Sequence, residues 1–369
     1  MSPYARTVTP LLRWAAIALV SSVLVASPHA ARLLPLDDPE IDAGALLALA
    51  QGSTTVSFSG YVESQGNLDL PVTESFSDLT DLLVDRTRMR VWWSSPQQWR
   101  VDTLHPTGET DLVHNASGTV VWDYERNRAV ASSEPRVRLP RASDLLPNEL
   151  ARQLLATATP AEVTRLPAQR VAGLDAPGLR LDPAAEQSSI QHADIWVDPA
   201  SGLPVRVAVH GKGDVDPSLT TQFLDLDLTA PSAERSGFST PPRADQTYED
   251  AVDVADAADR YAPTRTPERL AGLARRPGTG SAVGTYGGGA TSLLALPLQE
   301  EVSTPLREQL AVNARTRTNP AGSALGVGPL NVLLTPAHID RPSWLLAGTV
   351  VPQALRKAAR RVDVPAAFR

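Results

Sequence analysis

The stretch RTRMRVWWSSPQQWRVDTLH, running from Arg86 to His105, carries the decisive pattern. Met89, Val91 and Trp93 alternate with Arg88, Arg90 and Trp92. Ser94-Ser95-Pro96 then supplies a turn, and Trp99, Val101 and Thr103 resume the alternation. A period of two puts one set of side chains on a buried face and the other on a more polar face, so the stretch reads as two antiparallel strands. Trp92 and Trp93 are neighbours and must point to opposite faces. Trp93 is in phase with Met89 and Val91 and belongs to the apolar face.

Outward from this hairpin the pattern repeats. Val56, Phe58 and Val62 precede it. Val120, Trp122 and Tyr124 follow, then Leu179 and Leu181, Ile195 and Val197, and Val205, Val207 and Val209. Turn signals separate the runs: His105 to Gly108, Asn115 to Gly118, Asp198 to Gly202 and Gly211 to Asp214. This spacing predicts an antiparallel meander that curls into an open half-barrel. Ala142 to Thr157 predicts a helix, with Leu145, Leu146, Leu150, Leu154 and Leu155 at near-helical spacing and Pro160 as its stop. Such a helix either crosses the open face as a lid or caps a core, and both readings bury the same leucines. Phe76 to Val84 reads as a second apolar insert, and Ile41 to Ala50 as a short helix with Leu46, Leu47 and Ala50 on one side.

Four regions follow. In residues 1–31, Arg6 and Arg13 precede an apolar run from Trp14 to Ala26, and small residues surround Ala30. This predicts a secretory signal peptide or an N-terminal anchor. The apolar run is shorter than the ~20 residues of a spanning helix. Residues 32–230 form the half-barrel domain. Residues 231–263, rich in Pro, Ser, Ala and acid, read as a linker. Residues 264–369 read as a smaller α+β domain. Its expected helices are Pro267–Leu273, Thr304–Val312 and Pro352–Val362. Its expected strands are Ala282–Tyr286, Thr291–Leu298, Leu330–Leu334 and Trp344–Val350. The fold class is mainly β plus α+β.

Composition removes several chemistries. The 369 residues include no cysteine, which excludes disulfides, thiolate metal sites and a thiol nucleophile. A net charge of -7 argues against nucleic acid as a partner. The six histidines form no helical i, i+4 pair, so a metal site would need tertiary convergence. No Gly-x-Ser-x-Gly elbow is present. Gly287-Gly288-Gly289 lacks the lysine of a phosphate loop and reads as a hairpin turn. No catalytic residue, metal ligand or cofactor is therefore assigned, and the chain reads as a non-enzyme. Arg356, Lys357, Arg360 and Arg361 cluster on the last helix. They are either a solvated helix end favourable to the dipole or a contact to anionic headgroups or an acidic partner. Arg356 and Arg360 are the candidate partner contacts.

The order of short motifs adds a resemblance. Phe58-Ser59-Gly60-Tyr61-Val62-Glu63 opens a strand. Trp99-Arg100-Val101-Asp102 follows, then Val120-Val121-Trp122-Asp123-Tyr124, and then Trp196-Val197-Asp198-Pro199 with Gly202-Leu203-Pro204. Over residues 40–230 this order resembles the MucB/RseB regulators of extracytoplasmic sigma factors and the wider LolA-like superfamily of periplasmic lipoprotein carriers. The second domain fits the layout of the regulators. The resemblance implies an unclosed antiparallel sheet, a helical lid and an apolar cavity that takes a lipid or acylated ligand. It also implies a membrane-bound anti-sigma factor as partner and a place in the periplasm or on the extracytoplasmic face of the cell membrane. The ligand would lie against Phe58, Met89, Val91, Trp93, Trp99 and Val101 of the sheet and against Leu146 and Leu150 of the lid. An open barrel has an apolar face that lid leucines or an acyl chain must fill. Each buried CH₂ contributes roughly 0.8 kcal/mol, so the two can compete. A carrier of lipid or lipoprotein and a structural envelope protein are the alternatives.

Overall fold

The computed structural model describes residues 35–67, 86–135, 137–249, 254–262, 265–338 and 341–362, together with Trp14, Ile17 and Ser21 in helical conformation. Met1–Asp37 and Asp38–Arg369 are two compact units. The insert expected at Phe76–Val84 and almost all of the segment expected as signal or anchor lie outside the described residues. No helix among the described residues is long and apolar enough to cross a membrane.

The larger unit opens with α1 (Ala43–Gly52), capped where the Asp42 carboxylate accepts from the Ala45 N–H at 2.9 Å. Its buried residues are Leu46, Leu47 and Ala50, the trio that the sequence spacing selects. Six antiparallel strands follow: β1 (Phe58–Gly66), β2 (Arg86–Ser95), β3 (Gln98–His105), β4 (Gly108–Asn115), β5 (Gly118–Asp123) and β6 (Arg128–Ser132). A 3₁₀ turn at Ala142–Leu145 and the helix α2 (Pro147–Leu155) come next. Then a second meander runs through β7 (Val163–Val171), β8 (Leu174–Leu181), β9 (Ile190–Val197), β10 (Pro204–Gly211) and β11 (Leu219–Asp227). β11 pairs antiparallel with β1 and welds the two meanders into one open sheet. Without β12, introduced below, its edges are β6 and β7. The chain leaves at one edge and re-enters at the other, so residues 133–162 must cross a face of the sheet. Their leucines select the apolar one.

Residues 231–263 do more than connect. α3 (Ala233–Ser236) lies against β2 and β3, where the Ser236 hydroxyl accepts from Ser94 at 3.1 Å and from Gln98 at 3.2 Å. Phe238 packs on Trp122, with ring centroids 5.8 Å apart. β12 (Asp245–Glu249) then pairs parallel with β6 and becomes the twelfth strand. α4 (Val254–Tyr261) follows and buries Ala255 and Ala258.

The expected helix at Pro267–Leu273 is a hairpin, β13 (Arg269–Leu270) and β14 (Leu273–Ala274). Its two central residues, Ala271 and Gly272, have φ of 49° and 89°. Positive φ at both positions is the hairpin turn that follows strand twist, and a helix is incompatible with it. A six-stranded antiparallel sheet completes the chain in the order β15-β16-β20-β19-β18-β17. Its strands are β15 (Gly284–Gly288), β16 (Thr291–Leu298), β17 (Arg317–Asn319), β18 (Gly322–Val327), β19 (Leu330–Leu334) and β20 (Ser343–Gly348). β17 and β18 were not anticipated, because small residues such as Gly322, Ser323 and Gly326 hide the alternation. α5 (Glu300–Val312) lies against β18, and α6 (Pro352–Val362) against β18, β19 and β20. Alternation sorts the two faces of this sheet. Leu293, Ala295, Leu333 and Leu346 form a core with Ala354, Leu355 and Ala358 of α6. Leu296, Leu298, Leu325 and Leu334 belong instead to the core of the twelve-stranded sheet, which also holds Phe58 and Trp93.

Candidate functional site

The inner face of the large sheet carries an aromatic row built by strand register. Phe58 pairs with Trp93, Trp93 with Trp99, and Trp99 with His114. The rings stack in sequence: Phe58 on Trp93 at 5.9 Å, Trp93 on Trp99 at 5.7 Å and Trp99 on His114 at 5.3 Å. Phe223 of β11 meets Phe58 edge-on at 5.3 Å and 86°. Offset and edge-on contacts of this kind contribute about 0.5–1.5 kcal/mol each beyond the area they bury. Trp92 is on the outer face beneath the guanidinium of Arg100, 5.4 Å from its centroid.

The crossing segment fills this face. Leu145 and Leu146 are buried, and α2 packs on β10, β11 and α1. Phe58, Met89, Val91, Trp93, Trp99, Val101 and Leu146 are all buried in one cluster, and Leu150 packs half-buried against it. These eight candidates are thus brought together as a closed core. Toward β5 the inner face opens: Leu112 is 8 % exposed and Val121 37 %. Arg356 and Arg360 are elsewhere, exposed on α6 beyond the second sheet.

Charged side chains fasten the crossing segment where the aromatic row ends. Arg138 pairs with Asp144 at 2.6 Å and with Glu134 at 3.0 Å. Arg141 pairs with Glu134 at 3.0 Å and lies 5.3 Å over the Trp99 ring. The Thr119 hydroxyl donates to Glu134 at 2.8 Å. Burial alone would raise the Glu134 carboxyl, but Thr119 and the two arginines outweigh it and hold the group below its ordinary range. Burial lowers the His114 imidazole, against the pull of Glu134. An open hollow of about 320 Å³ beside this latch is lined by His114, Asn115, Ser133 and Glu134 among others. A second cavity of about 420 Å³ lies where the end of α2 meets the smaller sheet, between Leu154, Thr157 and Leu181 on one side and Leu273, Arg276 and Gly288 on the other.

Sequence reasoning did not select Phe223, Arg141 or Glu134. Leu219, Thr221 and Phe223 do alternate with polar positions, which is the signal for Phe223. Arg141 and Glu134 acquire their places only through the path of the crossing segment.

With this geometry in place, solved structures offer a comparison. The chain is similar to MucB. The complex of Pseudomonas aeruginosa MucA and MucB matches with 17 % identity over 85 % of this chain and 95 % of that one, at a TM-score of 0.47. MucB in complex with MucA(peri) matches with 16 % identity over 86 % and 97 %, at 0.46. A LolA superfamily protein from Nitrosomonas europaea matches with 12 % identity over 54 % and 98 %, at 0.25. No family model matches the chain, and a search of curated proteins found no match.

Proposed function

We propose that the chain is an extracytoplasmic binding protein of the MucB/RseB type, which takes a lipid-like ligand on the inner face of its open sheet and engages a membrane-bound anti-sigma factor. The observation that carries this reading is the crossing segment. An apolar face lined by Phe58, Met89, Val91, Trp93, Trp99 and Val101 is sealed by leucines that arrive from outside the sheet. Its latch is a network of partly buried ion pairs that joins Arg138 and Arg141 to Glu134 and Asp144, and these are the contacts that opening must break. Such a segment acts as a lid: leucines in and ligand out, or the reverse. The smaller sheet, with Arg356 and Arg360 exposed on α6, offers a separate surface for an acidic or membrane-associated partner. A carrier would not need that second surface, which favours the regulatory reading.

The test is native mass spectrometry of the full chain recovered from its cell envelope, followed by titration with a fluorescent fatty acid. A co-purifying acylated species, lost in a folded Val91→Asp variant, is expected. An empty protein that takes up no fatty acid on titration would overturn the lipid half of the proposal. Capture of the periplasmic segment of a cognate anti-sigma factor, weakened in Arg356→Glu/Arg360→Glu, checks the partner half. Undiminished capture removes those arginines from it.

A further inference from the structure

β9 and β10 pair so that His192 stands opposite His210. The two imidazoles stack with centroids 4.3 Å apart and planes 23° from parallel. Asp194 follows two residues along β9 and therefore shares the face of His192. The nearest ligand atoms of His192, Asp194 and His210 all lie within 4.8 Å of one another. Asp194 is 8 % exposed, whereas His192 and His210 are half-buried. This cluster is on the outer face, since Ile195 and Val207, its out-of-phase neighbours, are in the core. It is separate from the face that the proposed lipid would occupy.

We propose that His192, Asp194 and His210 bind one divalent transition-metal cation, with Zn²⁺ the best match to the donors. Two imidazole nitrogens and one carboxylate oxygen suit Zn²⁺, Ni²⁺ or Cu²⁺, whereas Ca²⁺ and Mg²⁺ prefer all-oxygen shells. Three protein ligands with a position left for water is the arrangement of an open zinc site. Tetrahedral Zn²⁺ needs donors about 3.4 Å apart, which follows from zinc–nitrogen bonds of about 2.0–2.1 Å. Neither ring has a hydrogen-bond partner among the described residues, so no hydrogen bond opposes the side-chain rotation that this spacing requires. Arg180 grips Asp194 through Nε at 2.7 Å and Nη2 at 2.8 Å. A carboxylate has about four lone-pair sites, so this fork leaves each oxygen able to ligate. Arg180 then orients the ligand from behind. Its charge opposes the cation, and the nearby Asp182 offsets part of it.

The experiment is isothermal titration of the untagged, EDTA-stripped full chain with ZnCl₂, with Co²⁺ absorption as an independent signature of a tetrahedral site. One saturable Zn²⁺ per chain is expected, with intense visible Co²⁺ bands. His192→Gln and His210→Gln should each weaken binding at least about tenfold and abolish the bands, because each removes an imidazole donor from a three-ligand site. Asp194→Asn should weaken it less, and His105→Gln, at an exposed histidine of the β3–β4 turn, should leave it unchanged. Circular dichroism checks that each variant is folded. No saturable binding, or binding that survives both histidine changes, would overturn the site.

Discussion

Asp111 illustrates how strand register sets the chemistry of a single residue. Arg90, Asp102 and Asp111 lie in one cross-strand row on the outer face of β2, β3 and β4. Arg100 reaches Asp102 at 2.6 Å and Asp111 at 2.7 Å, and Arg90 reaches Glu109 at 2.5 Å. Three carboxylates therefore share two guanidinium groups. The remaining Asp111 oxygen, Oδ1, is buried and receives no donor. Burial first, and the neighbouring Asp102 second, push the Asp111 carboxyl from its ordinary 3.8 up to about 7. The folded state then holds this proton more tightly than the unfolded chain does. The contribution to stability is full below pH 3.8 and is lost as pH rises through about 7. Asp111→Asn keeps the shape and removes the titration. Thermal melts across that window should show a declining Tm for the native protein and a flatter profile for the variant. Parallel profiles would mean that Asp111 ionises normally.

Among the elements, the crossing segment is the one whose local sequence and tertiary role diverge. The leucine spacing predicted one helix from Ala142 to Thr157. The chain instead makes a 3₁₀ turn, breaks at Leu146 with φ and ψ of -62° and 141°, and starts α2 at Pro147. Proline disfavours helical backbone in the residue before it and suits the first helical position, so Pro147 places the break. The break turns Leu146 into the core with 0 % exposure. Leu146→Ala should cost about 2–5 kcal/mol in urea unfolding, as a buried leucine truncation does. If the segment is a lid that a ligand must displace, the same change weakens the closed state and raises fatty-acid affinity. Lost stability with unchanged or reduced affinity would make the segment plain core.

For the whole molecule, the question is whether the two sheets behave as one body. Ser188 bridges to Val350, Ser189 N–H donates to Thr349 at 3.1 Å, and the Ser189 hydroxyl donates to the Pro329 carbonyl. A Cβ on Gly211 would come within 3.1 Å of the Gly328 carbonyl carbon and the Pro329 nitrogen. The buried cluster is continuous from Phe58 to Leu334. A shared core of this kind predicts one cooperative transition, with equal calorimetric and van't Hoff enthalpies. Two resolved transitions would show instead that residues 264–369 fold apart. The sequence by itself determined the strands β1, β2, β3, β5, β8, β9, β10, β16, β19 and β20, the apolar face of β2 and β3, the buried trio of α1 and the span of α6. Each of these rests on a periodicity of two or 3.6 that neighbouring residues impose on one another. Tertiary structure alone decided the pairing of β1 with β11, the strap of 231–249 over the outer face, and the meeting of His192 with His210. That last pairing depends on a register shift between Pro204 and Arg206. Counting back from the turn pairs His192 with Val209. One extra residue in the bulge moves His210 into place, and the decision belongs to the packed sheet because no local pattern encodes it.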